Sequence, residues 1–177
     1  MTNIKQKAIA LGAAVLLGIS ALPASSVAQT ATEAWTGAIP GDTIYFGTDD
    51  NLVRIRGMLN NGDIDRAVVF ASEYAESFEE NKRSGKTSPR RYDAYNALCL
   101  ALSAQKNYDA AREACDEAIN ESPERWMAYN SRGSLNLKSG NARAAAEDYR
   151  KALEYAPDTG DIKAILEHNV QLAQRGN

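Results

Sequence analysis

The chain has 177 residues, the length of one ordinary domain, and 44% of them are hydrophobic, which is enough for a core of ordinary size. With 24% charged residues, 7% aromatic residues and five prolines, the composition excludes a disordered chain and a collagen-like chain. One histidine, His168, and two cysteines, Cys99 and Cys115, are too few for a zinc cluster and for most nucleophilic catalysis. We therefore expect no metal site, no cofactor and no enzymatic activity.

The N-terminal segment 1–28 has the pattern of an export signal. Lys5 and Lys7 give a positively charged start, the segment 8–22 carries no charge, and Ser26-Val27-Ala28 places small residues at the two positions that a signal peptidase reads. The apolar run is about 15 residues long, whereas a membrane-spanning helix needs roughly 20. We expect cleavage after Ala28 and a periplasmic or secreted mature protein with no membrane span.

Cleavage at that point would change the net charge of the protein. It removes two lysines and no acidic residue, and the mature chain would carry a formal charge of −5. A negative net charge disfavours binding to nucleic acid, whose phosphates attract basic proteins. We therefore expect protein or peptide partners and no nucleic acid, while association of the chain with itself stays open.

The segment 29–48 is predicted to form a tether. Pro40-Gly41 and several small residues give this stretch the character of a loop, and the run 43–46 is too short to assign. The stretch either links the signal to the folded domain or lies in the groove of that domain.

Two helices are predicted next. Asp49 and Asp50 are typical cap residues, so the first helix is expected over about 51–60 and the second over about 63–82. Gly62 precedes Ala67 by five positions, and the same interval separates two residues of a clearer repeat further along the chain. The interval indicates a degenerate helical unit over about 50–82.

The segment 82–91 is rich in cations. It is either a solvated loop between helical units or a surface for an anionic partner. The run 84–87 looks like the end of a phosphate-binding loop, but Glu80 stands where that loop needs its first glycine, so nucleotide binding is rejected. The cations are Lys82, Arg83, Lys86, Arg90 and Arg91.

An internal repeat follows. Seven positions recur in the same order and at the same spacing, and six of them keep the same residue. Its positions carry an aromatic ring, several small residues and a closing proline, which has no N–H to continue a helix. The first copy has Tyr95, Asn96, Cys99, Asn107, Ala111, Ala118 and Pro123, and the second copy has Tyr129, Asn130, Gly133, Asn141, Ala145, Ala152 and Pro157.

This pattern resembles the tetratricopeptide repeat, a pair of antiparallel helices whose period matches the interval between the two copies. The second copy also has Gly140 at the turn and Tyr149 as a second aromatic residue, where the first copy has Lys106 and Cys115. The resemblance implies an all-α fold, a right-handed superhelix of about three helical hairpins with a C-terminal capping helix. The predicted domain, 49–177, contains the degenerate unit, repeats over 92–125 and 126–159, and the capping helix over about 160–175.

The resemblance also implies a groove lined by the first helix of each unit. We expect a protein or peptide segment to bind there, with the side-chain amides of Asn96 and Asn130 holding its backbone. The spacing within the first copy independently places its members on one helical stripe. The groove positions are Asp93, Asn96, Leu100, Ser103 and Ala104 in the first copy, and Met127, Asn130, Ser134, Leu137 and Lys138 in the second.

The two cysteines occupy facing positions of one hairpin in the repeat pattern. In an oxidising compartment Cys99 and Cys115 could form a disulfide, and otherwise they are two small core residues. Neither has a base near it in the pattern, so a catalytic thiol is not expected.

The predicted function is that of a non-enzymatic adaptor or scaffold that binds a protein in the periplasm or cell envelope. The chain offers no nucleophile paired with a base, which a self-contained enzyme would need. The alternative is an accessory or stabilising subunit of an envelope enzyme or assembly complex.

Overall fold

The computed structural model describes residues 49–83, 88–158 and 160–175, and over 80–83 it describes the backbone alone. Regular structure in these ranges consists of helices. The predicted signal, 1–28, and the predicted tether, 29–48, lie outside the described residues. The helices are α1 (Asp50–Asn60), α2 (Ile64–Arg83), α3 (Pro89–Ala104), α4 (Tyr108–Glu121), α5 (Trp126–Lys138), α6 (Ala142–Tyr155) and α7 (Gly160–Arg175).

The starts of the helices follow from capping residues in the sequence. The Asp49 carboxylate accepts a hydrogen bond from the Asn51 backbone N–H at 2.9 Å, and the Asn141 side chain accepts one from the Ala144 N–H at 3.2 Å. Ser88 caps α3 in the same way, with a proline in the first turn. These side chains satisfy backbone donors that a helix start leaves without an intrahelical partner.

The turns within the hairpins show that the three units share one register. Gly62 and Gly140 adopt positive φ angles of 79° and 82°, and Lys106, which stands at the equivalent turn of the middle unit, has φ 65°. A lysine in this left-handed conformation costs about 1 kcal/mol more than a glycine. Recurrence of the same turn places α1 and α2 in a hairpin that is equivalent to α3–α4 and α5–α6.

The first helices of the hairpins form an inner layer. α3 contacts both α1 and α5, whereas the second helices α2, α4 and α6 have no comparable contacts with one another in the described ranges. Each second helix instead packs between its own first helix and the first helix of the next unit, and α7 packs on α6. This arrangement is typical of a stacked helical repeat, in which the closer helices form the concave side.

Small residues allow the two helices of a hairpin to approach closely. Ala67, Ala111 and Ala145 are completely buried at the same position of the three units. In the last hairpin Gly133 of α5 lies against the ring of Tyr149, and a Cβ atom added to Gly133 would lie 2.7 Å from that ring. The glycine and the tyrosine therefore form a matched contact between α5 and α6.

We expect Gly133→Ala to lower the free energy of unfolding by about 1–3 kcal/mol, because the new methyl group overpacks the contact with Tyr149. Glu113→Ala is the control, since Glu113 is an exposed residue of the second helix α4. A substitution at such a surface position changes the free energy of unfolding by about 0.5 kcal/mol or less. Urea unfolding of both variants measures the difference, and equal effects would contradict the assigned contact.

A disulfide occupies the equivalent place in the middle hairpin. Cys99 of α3 and Cys115 of α4 are bonded, with their Cα atoms 5.1 Å apart, and both residues are completely buried. They stand at the repeat positions that Gly133 and Tyr149 occupy in the last hairpin. The middle hairpin therefore has a covalent link where the last hairpin has a glycine–aromatic contact.

Candidate protein-binding surface

The inner face of α3 is mostly closed to solvent. Asn96 and Ser103 are each 2% exposed, and the Asn96 Oδ1 and Ser103 Oγ atoms have no hydrogen-bond partner in the described part of the chain. Leu100 is also buried. Asp93 is half-buried and forms an ion pair with Arg125 at 2.7 Å; desolvation raises the pKa of the Asp93 carboxyl, and Arg125 opposes that effect.

The inner face of α5 is closed at Asn130 and Ser134. The Asn130 Oδ1 atom accepts a hydrogen bond from the Asn169 Nδ2 atom of α7 at 3.1 Å, and Asn130 is 7% exposed. Ser134 is buried, with its hydroxyl 3.1 Å from the hydroxyl of the α6 tyrosine. Met127 and Leu137 are half-buried and pack partly against neighbouring helices.

Both asparagines of the predicted amide grip on a peptide backbone are buried in the structure. Helical periodicity places Asn96 and Asn130 on the inner face, but the closeness of the adjacent helices removes both amides from solvent. Asn130 holds the capping helix through Asn169. These two asparagines therefore belong to the packing between units.

The accessible part of the inner face lies at the C-terminal ends of the first helices. Leu52, Asn96 and Asn130, at the equivalent early position of α1, α3 and α5, are all buried. The late position of Asn60, Ala104 and Lys138 is half-buried or exposed in all three helices, whereas at the position before it Leu59 and Leu137 are half-buried and Ser103 is buried. We call this set the C-terminal row: Leu59 and Asn60 of α1, Ala104 of α3, and Leu137 and Lys138 of α5.

The row combines apolar surface with a positive charge. Lys138 is an exposed residue, yet the surrounding protein lowers the pKa of its ammonium to about 7 by desolvation. Because solvent still reaches the Lys138 side chain, screening by water keeps the effect of this desolvation on the free energy of folding small. The row thus offers short apolar side chains beside a titratable cation.

Sequence reasoning missed the α1 members of the row, Leu59 and Asn60, and the neighbouring Arg56. The signal that could have found them was present, because Gly62 stands at the same turn position as Gly140. Alignment of the two hairpins on these glycines places the three α1 residues opposite Ser134, Leu137 and Lys138.

The cation-rich segment 82–91, expected to be either a solvated loop or a surface for an anionic partner, contains cations in different surroundings. Arg91 is 4% exposed and its guanidinium contacts three carboxylates, Glu79 of α2 at 2.7 Å, Glu117 of α4 at 3.0 Å and Glu121 of α4. Arg91 therefore ties three helices together and cannot face a partner. Arg90 is exposed and lies 3.8 Å from Asp49, while the side chains of Lys82, Arg83 and Lys86 lie outside the described residues.

Two further features concern the described ranges alone. None of the helices there combines the length and the apolar character that crossing a membrane requires. The same ranges contain no group of three or more His, Cys, Asp or Glu side chains placed to hold a metal ion.

Comparison with known proteins relates two hairpins of this helical array to a repeat family. The sequence profile of the tetratricopeptide repeat matches residues 92–125 and 128–159. The chain is also similar to a protein of Dictyostelium discoideum, the small glutamine-rich tetratricopeptide repeat-containing protein, with 35% identity over 91 residues. The similarity covers 49% of this chain and 27% of that relative's length. The two matched repeats correspond to the middle and last hairpins of the array.

Proposed function

We propose that the protein is an exported adaptor that binds a segment of another protein along the C-terminal row. The family makes protein–protein interaction the expected role of the repeats. The observation that carries the choice of surface is the contrast along the inner face. The early position of Leu52, Asn96 and Asn130 is buried in all three hairpins. The late position of Asn60, Ala104 and Lys138 is accessible in all three.

The chemistry of the row indicates the kind of segment that fits. Leu59, Ala104 and Leu137 supply apolar contacts from the first helices of three successive hairpins. An extended or helical segment with spaced apolar side chains can therefore contact all of them. The backbone carbonyls at the helix C-termini and the ammonium of Lys138 give the row polar groups of both signs. Binding energy at such a surface concentrates in the few side chains that become fully desolvated.

Export is supported by two independent features. The segment 1–28 has the charge and hydropathy pattern of a cleavable signal. The only two cysteines of the chain are joined in a disulfide, a bond that persists in oxidising compartments such as the bacterial periplasm. We therefore place the adaptor in the cell envelope or outside the cell.

Ala104→Lys tests the surface, because it introduces a long charged side chain at the middle of the row. Val69→Lys is the control, since Val69 is 58% exposed on the second helix α2. We expect Ala104→Lys to weaken binding of a partner captured from an envelope fraction at least tenfold in calorimetric titration, and Val69→Lys to leave the affinity unchanged.

The outcome that contradicts the proposed surface is loss of binding with Val69→Lys and not with Ala104→Lys. Mass spectrometry of the same purified protein tests the location, because export predicts a mature chain that begins at Gln29 with the disulfide intact. A cytosolic full-length chain would contradict export. An enzyme that loses activity without this protein would favour the accessory-subunit alternative.

A further inference from the structure

The N-terminal end of the array carries an apolar side chain at a position that is buried in the other units. Val53 of α1 is 54% exposed. Its equivalents, Ala97 in α3 and Ser131 in α5, are 3% and 5% exposed. The next turn shows the same difference in surroundings, because Gly57 of α1 corresponds to a completely buried alanine in α3 and a completely buried leucine in α5.

The reason for burial in the later units is contact with the preceding unit. α3 packs against α2, and α5 packs against α4. Ala97 and Ala101 belong to one apolar cluster with Ile55 and Ala67 of the first unit. α1 has no preceding helix within the described residues, and an added Cβ at Gly57 meets no atom within 4 Å. The face of α1 that contains Val53 and Gly57 is thus an inter-unit face that no described residue covers.

The two ends of the array differ in the polarity of the side chains that they expose. Terminal units of repeat proteins need a polar outer face for solubility. At the C-terminal end α7 exposes Glu167, Gln171 and Gln174. At the N-terminal end α1 instead exposes Val53 beside a small residue, a surface suited to close contact with another apolar group.

The chain that leads into α1 is placed to supply that group. Asp49 caps α1, and Val53 is the fourth residue of the helix, one turn from the cap. Asp49 is held by the Asn51 N–H at 2.9 Å and by the Tyr74 hydroxyl at 2.7 Å. These bonds fix the point from which the preceding residues start.

The preceding residues have the necessary length and composition. Ile44, Tyr45 and Phe46 form an apolar run that ends shortly before Asp49. Three to five residues of extended chain reach roughly 10–17 Å, whereas Val53 lies about 6 Å along the helix from its cap. The run can therefore return to Val53 and its neighbouring glycine without strain.

We propose that the run 44–46 covers the open face of α1 at Val53 and Gly57 and acts as the N-terminal cap of the array. The capping contact is made within one chain, so its local concentration exceeds that of any second molecule. Covering this face removes an apolar end that would otherwise favour end-to-end association of copies. The proposal is independent of the C-terminal row and of its partner.

Two matched lysine substitutions in the full chain test the contact. Val53→Lys places a charge on the covered face, and Val69→Lys makes the same change at a helical valine of similar exposure. Val69 stands where the later units have Glu113 and Glu147, which are exposed residues of second helices. We expect Val53→Lys to lower the urea midpoint of unfolding and Val69→Lys to leave it unchanged.

A second variant identifies the occupant of the face. Ile44→Lys combined with Phe46→Lys should lower the urea midpoint as Val53→Lys does. The triple variant, which carries all three substitutions, should show no further decrease, because both sets of changes remove the same contact. Equal midpoints for Val53→Lys and Val69→Lys would overturn the proposal, as would additive effects in the triple variant. A midpoint that rises with protein concentration, together with dimers in sedimentation, would overturn it too, because the face would then belong to a second copy.

Discussion

Replacing Arg91 with alanine is expected to lower the free energy of unfolding by about 3 kcal/mol. The guanidinium is 4% exposed and contacts carboxylates of Glu79, Glu117 and Glu121, which come from the helices on either side of α3. Tyr95 also donates its hydroxyl to Glu79 at 2.6 Å. Without the arginine, three carboxylates remain close together with no cation between them.

Arg90→Ala provides the control for this prediction. Arg90 is the neighbouring residue of the same helix, its side chain is 70% exposed, and the Asp49 carboxylate lies 3.8 Å away. An exposed ion pair of this kind contributes about 0–1 kcal/mol. Urea unfolding of both variants compares them, and a loss for Arg91→Ala no greater than that for Arg90→Ala would show that the carboxylate cluster does not hold the helices together.

Removal of the disulfide is expected to lower the free energy of unfolding by a similar amount. The bond between Cys99 and Cys115 closes a loop with a sequence separation of 16 residues. A loop of that size corresponds to about 3 kcal/mol of stabilisation, mainly because the cross-link restricts the unfolded chain. The variant with both cysteines changed to alanine should therefore unfold at a lower urea concentration than the oxidised protein.

A second double variant separates the cross-link from the packing at this site. Cys99→Gly with Cys115→Tyr reproduces the pairing of Gly133 with Tyr149 in the next hairpin, where the ring fills the space beside the glycine. We expect this variant to be more stable than the double alanine variant, which leaves a cavity. If the glycine–tyrosine variant is the less stable of the two, the middle and last hairpins do not share the same packing.

The helical array was predictable because its determinants are local or periodic. The cap at Asp49, the turn glycines at positions 62 and 140 and the recurrence of Tyr95-Asn96 as Tyr129-Asn130 are all visible in the sequence, and the structure has helices and turns at these places. The profile match over 92–125 and 128–159 confirms the two predicted repeats there. Periodic small residues specify such a hairpin strongly, since they decide how closely its two helices approach.

The surroundings of individual charges could not be predicted in the same way. Arg91 belongs to a run of cations in sequence, which indicated a loop or a basic surface. Its carboxylate partners lie on two other helices, one before it and one after it in the chain, and only the packing of α2, α3 and α4 brings them together. Arg132 is similar, with Asp116 and Asp148 contributed by the second helices on either side.

The helix positions of the candidate residues were predictable from the sequence, but their exposure to solvent was not. The repeat positions correctly place Asn96 and Asn130 on the first helices, yet both are buried. Periodicity defines the direction of a side chain from its own helix axis. The distance to the adjacent helix decides whether solvent reaches that side chain, and that distance depends on residues of other units.

Photocrosslinking in intact cells tests the central claim most directly. A photoreactive phenylalanine replaces Ala104 in the C-terminal row, and in a second variant it replaces Glu113, an exposed residue of the second helix α4. The account predicts that position 104 crosslinks to one protein segment of the envelope and that position 113 does not. Crosslinks to that partner from position 113 and none from position 104 would contradict the inner-face site.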